Sequence, residues 1–519
     1  MYTLGDIPRS GATFYPNKTA IVFEGRYLNY KELNERVNCL ANALMGLGYK
    51  KGDHIAILSE NTHKYVEIYY AAAKVGMIVT PLNFRLSDSE LTTIVNDSES
   101  TLYIAGDGYE EKSLGLKKDL KNIRKWISLD KKSDGYVFYE DLIREASKSE
   151  PVVPVNENEL AVLLYTGGTT GLPKGVMLSH RNLITSAFSI NLSYNFTRKD
   201  SACQVLPLFH VAFWTIFSLL IVGGKVIILR RPDVEEILRL MQDEKCTHVN
   251  LVPTLLNWIL SNPKLDEFDL SSLTLLAYGG SPIAPEVLRK ALQKFPNTSF
   301  AQGYGLTEAA PFVSWLKQED HNLIIEGKKP DLVKSIGQGA PFVEVRVVDE
   351  NDMPVKPGEI GEIVARGKNI MIGYWKQPDI TARTLRGGWL HTADMGTVDQ
   401  DGYIYLMDRK ADMIITGGEN VYPKEAEDIL YEHPAVQECA VVPAPDEKWG
   451  ERIHAVVVLK AGQVVTEEEL IDFCKSKLAH YKCPKRVEFW KELPKTPIGK
   501  IMRKEVKAHF WKHDTQKIA

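Results

Sequence analysis

Between Tyr165 and Asn182 the chain reads YTGGTTGLPKGVMLSHRN, which gathers four glycines, three threonines and Lys174 between an apolar run, LAVLLY, and a helix expected near Ser179. Glycines let backbone N–H groups close on anionic oxygens, threonine hydroxyls add donors, and a lysine supplies positive charge. Phosphate binding calls for this set, whereas a flexible surface turn needs none of it in combination. The stretch is not a Walker loop, because Pro173 precedes Lys174 and Gly175 follows it, where that pattern has Gly-Lys-Ser/Thr. P-loop kinase and ATPase chemistry is therefore disfavoured. The six cysteines (Cys39, Cys203, Cys246, Cys439, Cys474, Cys483) show no CxxC pair and no metal-ligand spacing with histidine, so they read as reduced, mostly buried thiols of a cytoplasmic protein.

Further segments follow in a fixed order: LPLFHVAF from Leu206, AYGGSPI from Ala277, QGYGLTEA from Gln302, GEIVARGKNIMIGYW from Gly361, WLHTADMG from Trp389, DRKADMIITGGENVYPKEAE from Asp408 and PKTPIGKIMRKE from Pro494. Together with the glycine-rich loop they resemble the adenylate-forming superfamily of acyl-CoA synthetases, nonribosomal-peptide adenylation domains and beetle luciferases, over nearly the whole chain. The resemblance implies an α/β fold: a large N-terminal domain of α/β subdomains with a small β-rich subdomain (1–408), then a small mobile α+β C-terminal domain (409–519).

It also implies an ATP site with a task for each group. Thr166, Thr169, Thr170 and Lys174 would face the phosphates. Tyr304 would stack on adenine, with Gly279, Gly280 and Ser281 lining the other side and Gly303 beside it. Asp394 would accept from both ribose hydroxyls and Arg409 would help hold the sugar. Thr307 would bind on the α-phosphate side, and Glu308 would coordinate magnesium, a hard cation that prefers carboxylate and phosphate oxygens. Lys500 resembles the family lysine that offsets the repulsion between carboxylate and triphosphate during in-line attack on the α-phosphorus. Asp408 matches the hinge. A turn there would withdraw Lys500 and present Gly417, Gly418 and Glu419 to the pantetheine arm of coenzyme A.

Basic and aromatic residues at a tunnel mouth would suit the coenzyme's phosphates, and Trp449, Tyr481, Lys482, Lys485 and Arg486 are candidates; a solvated basic face is the alternative. Some aryl-CoA ligases place an arginine where this chain has Cys483, which departs from that pattern. His210 is expected to orient the acyl group or close its tunnel, with a packed core histidine as the other reading. Phe209, Val211, Phe213, Trp214, Leu255 and Trp258 would line an apolar pocket. Gly305 stands where acetate-specific relatives carry a pocket-narrowing tryptophan, and Trp214 falls at the spacing of a gate in long-chain relatives.

The expected reaction joins a carboxylic acid to coenzyme A through an acyl-AMP, releasing AMP and pyrophosphate, with a medium or long fatty acid as substrate. An aromatic or alicyclic acid is the alternative, and a stand-alone adenylation enzyme serving a carrier protein a more distant one. An amino-acid adenylation domain would normally hold the substrate amine with an aspartate, which FHVAF does not offer. A catalytically dead relative would be expected to have lost Lys500, Glu308 or Asp394, and all three are present.

The elements that must position these groups follow from periodicity. Helical and strand signals alternate over most of the chain, and NYKELNERVNCLANALMGLG is a helix with a glycine stop before a buried strand, HIAILSE. Ser87 with Glu90, and Thr466 with Glu469, have capping-box spacing. Short β runs separated by turn residues begin near residue 340. A chain of 519 residues with 63 basic and 67 acidic side chains and a net charge of −4 gives no reason to expect nucleic acid. Val211 to Leu229 is broken by polar residues and glycines and reads as buried helix and strand rather than a bilayer span. Neither a secretory signal nor a transit peptide is visible at the N-terminus. A membrane-borne acyl substrate leaves peripheral membrane contact open, and the chain is expected to act as a monomer or homodimer.

Overall fold

The structure is a computed structural model that describes residues 2–166, 173–281, 283, 285–409, 412–416, 419–446, 449–495 and 501–511, with backbone alone at Ala212, Asp408, Arg409, Glu419 and Asn420. Thr169, Thr170, Gly417, Gly418 and Lys500 lie outside the described residues.

Capping fixes helix starts where the sequence marks them. Asn29, Ser87 and Thr466 each accept from the backbone three residues on, with Glu32, Glu90 and Glu469 returning the bond. Each satisfies two of a helix's orphan N–H groups, about 1 kcal/mol apiece. The apolar stretch after His210 divides into a 3₁₀ turn at Val211–Phe213, a helix at Trp214–Ile221 and a strand at Lys225–Ile228, all in the protein interior.

Among the described residues the strands form four sheets. In an eight-stranded sheet, His54–Leu58 pairs in parallel with Ile78–Leu82 and Leu102–Ala105, and Leu160–Thr166 turns back antiparallel onto Lys174–Ser179. A nine-stranded sheet has a parallel centre in which Ser201–Gln204, His248–Leu251, Leu275–Gly279 and Ser299–Gly305 are successive neighbours. Most residues of these central strands are buried, the polar Ser201, Gln204, His248 and Gln302 among them. One large core spans both sheets.

Val343–Val348, Gly361–Gly367, Leu390–Val398 and Ile404–Arg409 make an antiparallel four-stranded sheet, the expected β-rich part. Beyond it, Val436–Asp446 pairs along its length with Gly450–Leu459 in a separate sheet with its own core. The α/β class and this two-part layout agree with the expectation. No helix among the described residues is long and apolar enough to cross a membrane.

Candidate functional site

The glycine-rich loop is framed by two strands of one antiparallel ladder in which Thr166 and Lys174 are direct partners. Thr166 and Lys174 therefore stand at the same level of the sheet. Ser179 closes the frame by capping the helix His180–Tyr194 through reciprocal bonds with Asn182. Tyr165, the residue before Thr166, donates its hydroxyl to Asp97 Oδ2 at 2.5 Å. Trp375 donates its backbone N–H to Gly175 O at 2.7 Å and its indole Nε1–H to Asp97 O at 2.9 Å. The foot of the loop is thus pinned from both sides.

A second group lies at the carboxyl ends of the parallel strands, where open α/β sheets place their ligands. Gly279 and Gly303 are partners there, and a Cβ on Gly279 would come within 2.2 Å of Gly303 O, so neighbouring strands approach this closely only because a glycine stands at 279. Gly280 follows with φ +80°, a left-handed turn that carries the chain off the sheet to Ser281. Tyr304 donates its hydroxyl to Asp394 Oδ2 at 2.6 Å. Asp394 is the register partner of Arg409 in the four-stranded sheet, and Met395 that of Asp408. Gln302, two residues before Tyr304 on the same face of the strand, has a buried Oε1 with no hydrogen-bond partner.

Three residues after Tyr304, Thr307–Ala309 form a 3₁₀ turn in which Thr307 is buried. A strap over residues 367–375 holds this turn. Asn369 donates through Nδ2 to Ala309 O at 2.9 Å and Phe312 O at 2.8 Å, and Met371 N–H donates to Glu308 O at 2.8 Å. Asn182 holds the strap in turn, donating to Lys368 O at 2.8 Å and Ile370 O at 2.6 Å. Tyr374 donates its hydroxyl to Glu308 Oε1 at 2.8 Å, and its ring lies 5.3 Å from Lys174 Nζ. Burial, and then the Glu308 carboxylate, push the Tyr374 phenol well above its ordinary range, so it stays protonated and donates. Sequence reading assigned no role to Asp97, Asn182, Gln302, Asn369 or Tyr374.

The residues present fit a nucleotide-borne magnesium. Glu308 offers one carboxylate, and that ion is held by one or two carboxylates together with substrate phosphates and water, needing no protein cage. No cluster of three His, Cys, Asp or Glu side chains that could hold a metal occurs among the described residues.

The residues expected to line the acyl pocket divide between core and surface. Phe213 is fully buried between Tyr69 and Phe217, with ring centroids 5.0 and 5.1 Å away, and belongs to the core. Trp258 is 44% exposed on the helix Pro253–Leu260, because the apolar face of that helix is already supplied by Leu255, Leu256 and Ile259. At Gly305 a Cβ would fall 1.6 Å from Pro311 O, so backbone approach accounts for that glycine before any question of pocket width. Val211 is buried in the same core as Phe213. Phe209 is buried edge-on to Phe84 at 5.2 Å, and His210 precedes the 3₁₀ turn with its side chain half-buried. Trp214 is half-buried against Tyr194, whose ring also meets Phe312 and Trp315.

In the C-terminal part, Lys482 pairs with Glu425 at 2.8 Å and Arg486 with Glu467 at 2.9 Å, so an incoming phosphate would compete with carboxylates for them. Trp449 and Tyr481 are 47% and 43% exposed. Cys483 is buried, its thiol donating to Ala479 O at 3.4 Å; position 483 faces the core and offers no surface contact. Lys495, at the start of the segment that carries Lys500, stands 5.9 Å from the Trp258 ring centroid and pairs with Glu438 at 2.6 Å.

The family model for AMP-binding enzymes matches residues 9–375, and that for the AMP-binding enzyme C-terminal domain matches residues 425–500. The chain is 38% identical over 509 residues to a feruloyl-CoA synthase of Amycolatopsis sp, covering 98% of this chain and 99% of the relative. It is 36% identical to a long-chain-fatty-acid–CoA ligase of Bacillus subtilis, covering 97% and 94%. Among solved structures, ATP-bound MatB from Rhodopseudomonas palustris superposes with a TM-score of 0.89 at 29% identity, covering 99% of each chain.

Proposed function

This chain belongs to the AMP-binding enzyme family, and from that premise we propose that it is an acid–thiol ligase that uses ATP to join an apolar carboxylic acid to coenzyme A. The observation that carries the reading is the spacing of two pairs on one short stretch. Tyr304 with Asp394 and Glu308 with Tyr374 leave the same strand end four residues apart, so a nucleoside group and a phosphate-facing carboxylate share one origin.

In the proposed reaction Tyr304 packs on the base, while Asp394, one oxygen already occupied by the Tyr304 hydroxyl, uses the remainder for the ribose with Arg409 opposite. Thr166 and Lys174 receive the phosphates together with Thr169 and Thr170. When bound, magnesium screens charge on the phosphate oxygens, and Glu308 is the residue that would hold it, with Thr307 beside it at the α-phosphate. A carboxylate oxygen attacks the α-phosphorus, pyrophosphate leaves, and Lys500 offsets the charge that develops. The coenzyme thiol then attacks the acyl carbonyl and AMP leaves.

Asp408 lies one residue before the end of the last strand of the four-stranded sheet, so a pivot there would move residues 409–519 as the C-terminal unit and disturb the terminal Asp394–Arg409 rung alone. Gly417, Gly418 and Glu419 would then face the pantetheine arm, with Trp449, Tyr481 and Lys482 nearer the nucleotide end.

A medium or long straight-chain acid is the first reading of the substrate, with Trp214 as the gate and His210 and Phe209 near the acyl group. An aromatic acid is a second reading, favoured by the rings of Tyr194, Trp214, Phe312 and Trp315 that meet beside Gly303 and by the similarity to a feruloyl-CoA synthase. The test is AMP and thioester formation with ATP, magnesium and coenzyme A across acetate, hexanoate, dodecanoate, palmitate, benzoate, ferulate and cyclohexanecarboxylate. Preference for dodecanoate or palmitate supports the first reading and preference for ring acids the second. Acyl-AMP without thioester from any acid would count against a coenzyme A ligase.

A further inference from the structure

Tyr374 touches the two charged groups of opposite sign that flank the phosphate region. Its hydroxyl donates to Glu308 Oε1 at 2.8 Å, and its ring lies 5.3 Å from Lys174 Nζ. Neither contact is local in sequence, since Glu308 is 66 residues away and Lys174 is farther still. The backbone beneath the ring is held from two sides. Tyr374 pairs with Val176 in the strand that follows the glycine-rich loop, and its N–H donates to Thr381 Oγ1 at 2.9 Å. A Cβ on Gly373 would lie 2.6 Å from Thr381 Cγ2, so the strap sits flush on the helix Pro378–Thr384. The side chain itself is buried.

We infer that Tyr374 is a positioning residue that fixes the Glu308 carboxylate for the metal-bearing nucleotide and, through its ring, holds the Lys174 ammonium in the same unit. The inference rests on the reading of Glu308 as the magnesium-facing carboxylate. A hydroxyl on Oε1 takes up one side of the carboxylate and orients the group, leaving Oε2 as the oxygen to offer a hard cation; partners of this kind set ligand orientation at metal sites. Meanwhile the ring face attracts the lysine cation without neutralising it. One side chain therefore sets the distance between an anion and a cation that must both meet the same triphosphate.

The two contacts separate by substitution. Tyr374→Phe keeps the ring and loses the donor, whereas Tyr374→Leu loses both. Two quantities are measured on the full chain: the magnesium concentration giving half-maximal pyrophosphate release in the acyl-AMP step, and the calorimetric Kd of ATP in magnesium and in EDTA. Tyr374→Phe is expected to raise the magnesium requirement about tenfold, the size found for removing a ligand's hydrogen-bond partner, and to weaken ATP only when magnesium is present. Tyr374→Leu is expected to weaken ATP in EDTA as well. In a Glu308→Gln background, Tyr374→Phe should add less than about twofold, since non-additivity marks groups acting through one another.

A Tyr374→Phe enzyme with the parent's magnesium curve, beside a Glu308→Gln enzyme whose curve is shifted, overturns the inference and leaves the site reading intact. Equal weakening of ATP with and without magnesium would also overturn it, because a merely structural lesion does not distinguish the two. A Glu308→Gln enzyme with an unshifted curve removes the site reading and the inference together. If Tyr374→Leu fails to fold, the phenylalanine variant and the double substitution still decide the matter.

Discussion

The hydroxyl of Tyr304 donates to Asp394 Oδ2 at 2.6 Å across 90 residues of chain, joining the end of a parallel strand to the antiparallel sheet that follows it. A hydrogen bond to a charged group is worth about 1.5–3 kcal/mol, and this one fixes the aspartate that we propose holds the sugar. Tyr304→Phe should therefore raise the Kd of ATP about tenfold, one decade per ~1.4 kcal/mol, with little change in the KM for the acid. Calorimetry and initial rates read the two separately; a change confined to the acid would remove Tyr304 from the nucleotide site.

Lys500→Ala should slow acyl-AMP formation by about 10² to 10³, the usual size for a preorganised charge contact. Thioester formation from supplied acyl-AMP should be nearly unchanged. Single-turnover assays of each half reaction check this, and equal loss in both would refute the assignment.

Gly418→Leu should show the reverse pattern, sparing pyrophosphate release while blocking transfer to the thiol. Normal coenzyme A turnover in that variant would remove the 417–419 loop from the pantetheine path.

Asn369→Leu leaves the carbonyls of Ala309 and Phe312 without their donor in a buried place. The expected cost is about 1–3 kcal/mol per orphaned group, read as a lower urea midpoint at unchanged m. Because these carbonyls flank Glu308, the variant should also need more magnesium; a loss of stability with a normal magnesium curve would limit Asn369 to the fold.

Stability should fall as the protein is acidified through one defined window. Burial lowers the His321 imidazole to about 4 from its ordinary 6.5, and His180 likewise to about 4. His321 is satisfied as a neutral ring, Nδ1–H donating to Lys317 O at 2.7 Å while Nε2 meets the Tyr278 hydroxyl at 2.9 Å. Between these values the unfolded chain takes up protons that the native histidines refuse, so their contribution is complete above about pH 6.5 and is lost as pH falls toward 4. Urea midpoints in this series should be flat above pH 7 and decline below 6.5. A rise on acidification through this range would contradict the assignment.

The parts of this protein legible in the sequence are those decided within a few residues. Capping boxes at Ser87 and Thr466 and the composition of the 165–182 loop declare themselves because both partners sit on one local stretch. The order of motifs, read as a resemblance, gave the two-part layout. Tyr374 and Asn369 were in view within GEIVARGKNIMIGYW but without a task, because their hydrogen-bond partners at the turn are 57 to 66 residues distant and nothing in spacing names them. Apolar side chains posed the opposite difficulty. Phe213 and Trp258 look alike as pocket candidates, yet one is in the core and the other half in solvent, since periodicity gives a helix an apolar face without saying what fills the space opposite.

The ladder between Leu390–Val398 and Ile404–Arg409 has a consequence for the order of events. Its terminal rungs pair Asp394 with Arg409 and Met395 with Asp408, so the proposed sugar clamp and the proposed joint are consecutive residues on one rung pair. Anything that rotates the chain at Asp408 pulls on the clamp, and anything that fills the clamp stiffens the joint. On the proposed reading no separate messenger is needed to schedule the two half reactions: departure of pyrophosphate, while Asp394 and Arg409 still hold the ribose of the adenylate, would change the load on a single dipeptide, and topology would time the swing.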